Sequence, residues 1–261
     1  MLLLNPFWHA ATNFLVDAAD FDGSNDYLTR GGELTGVVAS KIFTFVVWFR
    51  YDAGQTSYIF KCADSAGSVA SRFAVVMQTA TGAGDIQITG HSSALVERLN
   101  ISTNDAVLST GTWYCLMVSV DLADTAKRHL YLGDTNRLDT VTTYANSDIG
   151  FTGGGGTRDW VVGARGDGAN KFDGGLAELM FWEGAYIDFS QSANRRLFYS
   201  ASGKPVNPNA PGGAIATLGT PDVYLELSDG EAAANFATND GGGGNFTVNG
   251  SLSTYASSPS D

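Results

Sequence analysis

The sequence has few charged residues, and positively charged ones are especially scarce. Charged residues make up 16% of the chain, and 15 lysines and arginines stand against 27 aspartates and glutamates, for a formal net charge of −12. Nucleic-acid binding depends on clustered lysine and arginine side chains that displace counterions from phosphates. The charge balance therefore argues against a nucleic-acid partner. It also disfavours binding to an anionic lipid surface.

Long apolar runs and a leader pattern are also lacking. No apolar stretch approaches the roughly 18 residues that a membrane-spanning helix needs. The segment from Met1 to Trp8 has no basic start, and its apolar stretch is interrupted at Asn5-Pro6, so a secretory signal is not indicated. We therefore expect a soluble protein without membrane insertion.

Cysteine and proline are scarce, whereas glycine is abundant. There are two cysteines, Cys62 and Cys115, and the sequence leaves open whether they meet or remain two buried thiols, which is the commoner state. The 32 glycines are accompanied by only six prolines, which favours tight turns over a disordered linker. Many turns imply many short strands.

Alternation of apolar and other residues, the period of a β-strand, recurs along most of the chain. The clearest example is Lys41 to Tyr51, where Phe43, Phe45, Val47 and Phe49 fall on one face. Further strands are predicted at 58–62, 72–78, 85–89, 113–120, 128–132, 140–144, 160–163 and 176–182. About a dozen short strands separated by turns predict an all-β sandwich or barrel.

Only one segment has helical spacing. Ser190 is placed to cap a short helix through Gln191 to Phe198, with a small apolar stripe on one side. One short helix is therefore expected in an otherwise all-β chain.

The stretch from Gly203 to Pro221 holds four of the six prolines and is a candidate linker. The strands expected after it, at 222–227 and 245–249, are too few to be stable alone. We therefore predict an N-terminal arm at 1–16, a sandwich at 17–203, and a C-terminal segment at 204–261 whose strands dock on the sandwich.

Several segments share the order and spacing of one known family. The closing pattern is a glycine, a variable loop, Phe-x-Gly, an acidic residue and an apolar strand, and Val162 to Trp182 matches it. Earlier matches lie at Phe21 to Leu28, Phe43 to Arg50, Gly111 to Asp121 and Lys127 to Gly133. Together they resemble the concanavalin A-like lectin/glucanase superfamily in its laminin G-like branch, over about residues 20–200. The resemblance implies a jelly-roll β-sandwich of two antiparallel sheets.

The tail, from Gly203 through the glycine run after Asp240 to Gly250, is similar to the endings of bacteriophage structural proteins that carry this sandwich. That resemblance implies a virion protein, such as a capsid decoration, head fibre or tail component. It would be made in the host cytoplasm and assembled with other virion proteins, as a homo-oligomer. The alternative that the fold implies is a carbohydrate-binding adhesin for host or environmental glycans.

Catalytic acids in the family's arrangement are missing. A glucanase of this superfamily carries its two carboxylates on one strand in the order Glu-x-Asp-x-x-Glu. The nearest stretch, Glu226 to Glu231, has Ser228 where aspartate is required, and Met180 stands between Glu178 and Glu183 where an acid is required. No Gly-x-Ser-x-Gly turn or P-loop is present either. The sequence predicts a protein that is not an enzyme.

A glycan site would need an exposed aromatic side chain with polar neighbours on a loop-rich rim. Trp160, beside Arg158 and Asp159, is the sequence's best candidate. Trp48, Trp113 and Trp182 lie in strand patterns and are interpreted as core or sheet-face residues.

A calcium site is the second candidate. Many laminin G-like domains bind this cation through loop oxygens, which are the ligands that Ca²⁺ prefers. Asp159, Asp167 and Asp173 flank one loop and are the candidate ligands; the alternative is that they are solvated loop acids. No other cofactor is expected.

Overall fold

The computed structural model describes residues 14–53, 55–78, 84–103, 107–152 and 158–261. Residues 1–13, most of the predicted N-terminal arm, lie outside the described residues. The strands are β1 (Ala19–Asp22), β2 (Tyr27–Thr29), β3 (Ile42–Tyr51), β4 (Ser57–Ala63), β5 (Ser71–Gln78), β6 (Asp85–His91), β7 (Glu97–Ser102), β8 (Tyr114–Asp121), β9 (Arg128–Leu132), β10 (Thr135–Asn136), β11 (Thr140–Tyr144), β12 (Asp159–Val162), β13 (Asp173–Glu183), β14 (Val223–Leu225), β15 (Thr247–Asn249) and β16 (Ser253–Thr254). The helices are α1 (Ser192–Arg195), α2 (Ala214–Leu218) and a 3-10 helix (Ala233–Ala237).

The strands form two antiparallel sheets. Sheet 1 has the order β10-β9-β8-β3-β13-β1-β16, with β14 paired to part of β13. Sheet 2 has the order β11-β7-β6-β5-β4-β12-β2-β15. The predicted all-β sandwich of two antiparallel sheets is confirmed.

The core lies between the two sheets, on the face that the alternation of β3 predicted. Phe43, Phe45, Val47 and Phe49 are fully buried there. Across the core, the rings of Phe45 and Phe60 are stacked with centroids 5.4 Å apart. Burying each large apolar side chain stabilises the fold by roughly 1.5–3 kcal/mol.

The outer face of sheet 1 is largely covered as well. Trp48 and Trp182 on this face are buried, and the cluster around them includes Phe189 and Phe198 from the chain that follows β13. The Trp182 indole N–H donates to the carbonyl of Gly219 at 2.8 Å. The proline-rich stretch at 203–221 is therefore packed against the sheet and is not a free linker.

The helical prediction was correct in place but wrong in two details. α1 begins at Ser192 with Gln191 as its N-cap, so Ser190 does not cap it. The described chain also contains α2 and the 3-10 helix, each of five residues, which the sequence pattern did not predict. No helix in the described ranges is long and apolar enough to cross a membrane.

The C-terminal strands pair with both sheets. β14 pairs with β13 and β16 with β1 in sheet 1, whereas β15 pairs with β2 in sheet 2. The last strand thus brings the end of the chain beside β1. This arrangement places residues 255–257 next to the outer face of sheet 1.

Both cysteines are free and buried. Cys62 packs in the core between the sheets, whereas Cys115 packs in the cluster on the outer face of sheet 1. Burial raises the pKa of both thiols. We expect neither thiol to react with an aromatic disulfide reagent in the native protein, and both to react after unfolding, because thiolates are the reactive form. Thiol counting with and without denaturant tests this, and one equivalent released from the folded protein would contradict it.

Candidate functional site

The tryptophan that the sequence proposed for glycan binding lies inside the protein. Trp160 is 0% exposed, and its ring centroid lies 5.3 Å from that of Phe60 and 5.4 Å from that of Phe181. Its indole N–H has no hydrogen-bond acceptor among the described residues. The prediction of an exposed Trp160 is wrong, because the alternation of β12 turns Trp160 and Val162 into the core.

The two polar neighbours of Trp160 are also structural. Arg158 is 2% exposed, and its Nη1 donates to Asp64 Oδ1 at 2.7 Å. Asp159 is 4% exposed, and its Oδ1 accepts the backbone N–H of Gly31 at 3.0 Å. Burial raises the pKa of Asp159. These three adjacent residues hold strand β12 in place and offer no surface to a sugar.

The three aspartates proposed for calcium have different partners. Asp159 binds Gly31, whereas Asp167 accepts two hydrogen bonds from the Arg165 guanidinium, at 2.9 and 2.7 Å, which lower its pKa. Asp173 lies at the start of β13, opposite Asp22. Among the described residues, no group of three or more His, Cys, Asp or Glu side chains is arranged to hold a metal ion. The proposed calcium ligands therefore do not form one site.

A different polar cluster is created on the outer face of sheet 1 by the strand register. Ser253 is paired with Asp20, Asp20 with Gly175, and Gly175 with Arg50. These residues form one row across β16, β1, β13 and β3. Trp113 extends the row, because it directly precedes Tyr114 of β8, which is paired with Phe49 of β3. Apolar neighbours in each strand face the core, so this row faces outward.

Two aromatic rings, those of Trp113 and Tyr255, pack on this row at Gly175, where no side chain projects from the sheet. The rings of Trp113 and Tyr255 meet edge to face, with centroids 5.9 Å apart at an interplanar angle of 84°. A Cβ atom at Gly175 would lie 2.6 Å from Trp113 Cη2 and 3.1 Å from Tyr255 Cγ. The absence of a side chain at Gly175 therefore lets both rings settle against the sheet. Both residues are partly exposed, whereas Trp48, Trp160 and Trp182 are buried.

The rings are held by a charged network. The Arg50 guanidinium lies 5.3 Å from the centroid of the Tyr255 ring, and its Nε is 3.4 Å from Asp52 Oδ1. The Tyr255 hydroxyl donates a hydrogen bond to Asp52 Oδ2. Ser257 Oγ accepts from Arg50 Nη1 at 3.0 Å and from Trp113 Nε1 at 3.2 Å. This network fixes the orientation of both rings.

We call the group Trp113, Tyr255, Arg50, Asp52, Asp20 and Ser257 the Trp113–Tyr255 site. Asp20 accepts a hydrogen bond from Ser253 Oγ at 3.0 Å, and its pKa is raised by burial and by nearby Asp26, Asp52 and Asp22. Burial raises the pKa of Tyr255, and its bond to Asp52 adds to the effect. The site combines an apolar platform with fixed polar groups, which is the usual make-up of a small-molecule site.

Sequence reasoning missed this site for two reasons. Trp113 was interpreted as a core or sheet-face residue, and the sheet-face alternative is the one the structure shows. Tyr255 is 142 positions further along the chain, beyond every strand predicted from alternation. The only local signal for this site in the sequence was the position of Trp113, two residues after the turn glycine Gly111.

A family model described as the concanavalin A-like lectin/glucanases superfamily matches residues 22–187. No curated protein is significantly similar to the sequence. The matched range includes Trp113, Arg50 and Asp52, and it ends before Tyr255. The aromatic partner of Trp113 thus comes from outside the matched segment.

Solved structures share the fold at low sequence identity. A candidate carbohydrate-binding protein from Bacteroides ovatus is 15% identical with a TM-score of 0.58, over 93% of this chain and 61% of that one. The chain therefore spans less than two thirds of that protein's length. A heptameric SAP-like pentraxin from Limulus polyphemus is 16% identical with a TM-score of 0.57, over 96% of this chain and 100% of that one.

A phage protein is also similar, at a lower level. Tailspike protein 2 of the Escherichia coli O157:H7 bacteriophage CAB120 is 14% identical with a TM-score of 0.45, over 86% of this chain and 31% of that one. Similarity of this size does not bear on a role in a virion, which stays a prediction from the sequence.

Proposed function

The chain belongs to the concanavalin A-like lectin/glucanases superfamily, and we propose that it is a carbohydrate-binding protein whose ligand packs on the Trp113–Tyr255 site. The observation that carries the proposal is the partly exposed pair of rings, held edge to face beside the Arg50–Asp52 ion pair. The Bacteroides ovatus protein of the same fold, itself a candidate carbohydrate-binding protein, supports the proposal.

The chemistry of the site suits a sugar. The C–H groups of a pyranose ring form an apolar face that packs against an aromatic ring, while its hydroxyls need donors and acceptors. Asp52 and Asp20 accept hydrogen bonds, and charged partners make these bonds stronger than neutral ones. Because Ser257 and Arg50 already fix the rings, little side-chain entropy is lost when a ligand binds.

The proposal is for binding without catalysis. Glu178, one of the acids considered for a glucanase, is 1% exposed, so a sugar on the surface cannot reach it. Two carboxylates that flank a glycosidic bond need to be accessible, about 5–5.5 Å apart for retention of configuration or further apart for inversion. The buried position of Glu178 supports a protein that binds glycans and leaves them intact.

Trp113→Ala should weaken binding to any glycan that the protein retains on an array by about tenfold or more, the loss of roughly 1.4 kcal/mol or more that is typical of a central aromatic contact. Affinity would be measured by calorimetry with the purified glycan. Circular dichroism should show an unchanged fold, since Trp113 lies at the margin of the packed cluster.

The matched control is Tyr58→Ala, which truncates a partly exposed aromatic residue on sheet 2 that lies 5.1 Å from the Lys61 amine. It should leave glycan affinity unchanged. Equal losses in the two variants would argue against this site, and an array without any bound glycan would argue against the function.

A further inference from the structure

The charge around the Trp113–Tyr255 site narrows the class of ligand. Four carboxylates lie close together at this end of sheet 1: Asp20, Asp22, Asp52 and Asp173. Burial, followed by the charges of Asp52, Asp20 and Asp22, raises the pKa of Asp173. Burial and the charges of Asp26, Asp52 and Asp22 raise the pKa of Asp20. Asp22 and Asp173 are direct cross-strand partners. The site therefore has a negative potential.

The two cationic side chains near the site, Arg50 and Lys171, already have partners within the protein. Arg50 is bound to Asp52 and to Ser257, and its guanidinium covers the Tyr255 ring. Lys171 lies near Asp22, but its amine donates to the carbonyl of Gly168 and faces the ring of Tyr27. An anionic sugar placed on Trp113 would therefore meet carboxylates, and breaking the Arg50 network would be needed to supply a cation.

Asp20 is the carboxylate placed to contact a ligand. It is adjacent to Gly175 in the cross-strand row, and both aromatic rings pack against Gly175. A sugar that stacks on Trp113 or Tyr255 would have its substituents beside Asp20. Hydroxyl groups would hydrogen-bond there, but a protonated amine would also gain an ionic contact and relieve the repulsion among the four acids.

We propose that the Trp113–Tyr255 site selects saccharides that carry a free amine, such as glucosamine oligomers, over their N-acetylated, neutral and acidic counterparts. This inference rests on the proposed function, because it concerns the ligand class of the same site. The aromatic pair supplies the contact that all neutral and amino sugars share, and Asp20 supplies the discrimination between them. The net charge of −12 also attracts a positively charged sugar at longer range.

The test uses the full chain and four tetrasaccharides: β-1,4-linked glucosamine, its N-acetylated form, glucose, and galacturonate. At about pH 6 a free amine is protonated. We expect the glucosamine oligomer to bind about two- to fivefold tighter than the N-acetylated one, as an exposed ion pair allows. The advantage should shrink as salt is raised, since exposed charges are screened.

Asp20→Asn should bring the ratio of the glucosamine affinity to the N-acetylated affinity to about one, because asparagine keeps a hydrogen-bonding side chain but carries no charge. Since Asp20 also accepts hydrogen bonds from hydroxyls, both affinities should fall, and the ratio of the two affinities within the variant is the measurement that tests the assignment. Loss of one of four repelling carboxylates does not threaten folding. Asp139→Asn, at an exposed position next to β11 in sheet 2, removes the same charge away from the site and should keep the preference.

The outcomes separate the two proposals. Binding that depends on Trp113 but shows no preference for the amine would overturn the selectivity and leave the carbohydrate-binding function standing. A preference that survives Asp20→Asn would overturn the assignment to this carboxylate. Failure of every oligomer to bind, together with an empty glycan array, would overturn the function and the selectivity together.

Discussion

Trp160→Ala should lower the free energy of unfolding by about 3–5 kcal/mol, the usual loss when a fully buried large aromatic side chain is deleted. The Trp160 ring contacts Phe60, Phe151 and Phe181, so its removal leaves a cavity where both sheets meet. Because domains are commonly stable by only about 5–15 kcal/mol, the variant should melt at a much lower temperature. Urea unfolding monitored by circular dichroism measures the loss.

The result distinguishes an exposed, sugar-binding Trp160, which the sequence predicted, from the buried Trp160 of the structure. An exposed sugar-stacking tryptophan would lose binding on truncation and little stability, which is the behaviour that we expect of Trp113→Ala. If Trp160→Ala does not fold, Trp160→Phe provides the measurement, because it keeps most of the ring and should cost less. Wild-type stability in Trp160→Ala would contradict the structure.

Glu178→Gln should stabilise the protein at neutral and alkaline pH, because the unfolded chain gains free energy by ionising a carboxyl that the folded protein keeps buried and neutral, by about 1.4 kcal/mol for each pH unit between the unfolded and folded pKa. Glu178 is 1% exposed and sits where the register of β13 shifts, with a backbone φ of +49° that is costly for a residue other than glycine. Tyr224 donates its hydroxyl to Oε2 at 3.1 Å, whereas Oε1 has no partner among the described residues.

The sign of the pH dependence follows from the surroundings of this carboxyl. Burial, followed by the negative charge of Glu226, raises the pKa of Glu178 well above its usual value, and Asp240 adds to the effect. The neutral acid is therefore favoured in the folded state. Its contribution to stability is fully present below the unfolded pKa of about 4.3 and is lost as pH rises through the higher folded pKa.

Urea midpoints measured from about pH 4.5 to pH 8.5 test this expectation. The wild type should lose stability over this range, whereas Glu178→Gln should lose less, so the two curves diverge as pH rises. Glu183→Gln is the matched control, because Glu183 is the partly exposed last residue of the same strand. Parallel curves for wild type and Glu178→Gln would show that Glu178 is not the buried acid that we describe.

The sequence by itself determined the layered architecture. Alternation in segments such as Lys41 to Tyr51 predicted which side chains share a face, because a strand turns successive residues to opposite sides. It also excluded the Glu-x-Asp-x-x-Glu arrangement of a glucanase. The virion role and the N-terminal arm stay predictions from the sequence.

Alternation does not tell which face is covered, and this is why the site prediction failed. Trp160 has polar neighbours in the sequence, yet β12 is central in sheet 2 and turns the ring into the core. Trp113 has a similar pattern, yet its side of sheet 1 stays partly open. Only the packed arrangement of the two sheets distinguishes these tryptophans.

The Trp113–Tyr255 site was decided by tertiary structure. Strand register places Asp20, Gly175 and Arg50 in one row although they are far apart in sequence, and β16 brings Tyr255 onto that row. Each pairing depends on backbone hydrogen bonds between strands that are distant in the sequence. The residues of the site are present in the sequence, but their proximity follows only from the register of the folded sheet.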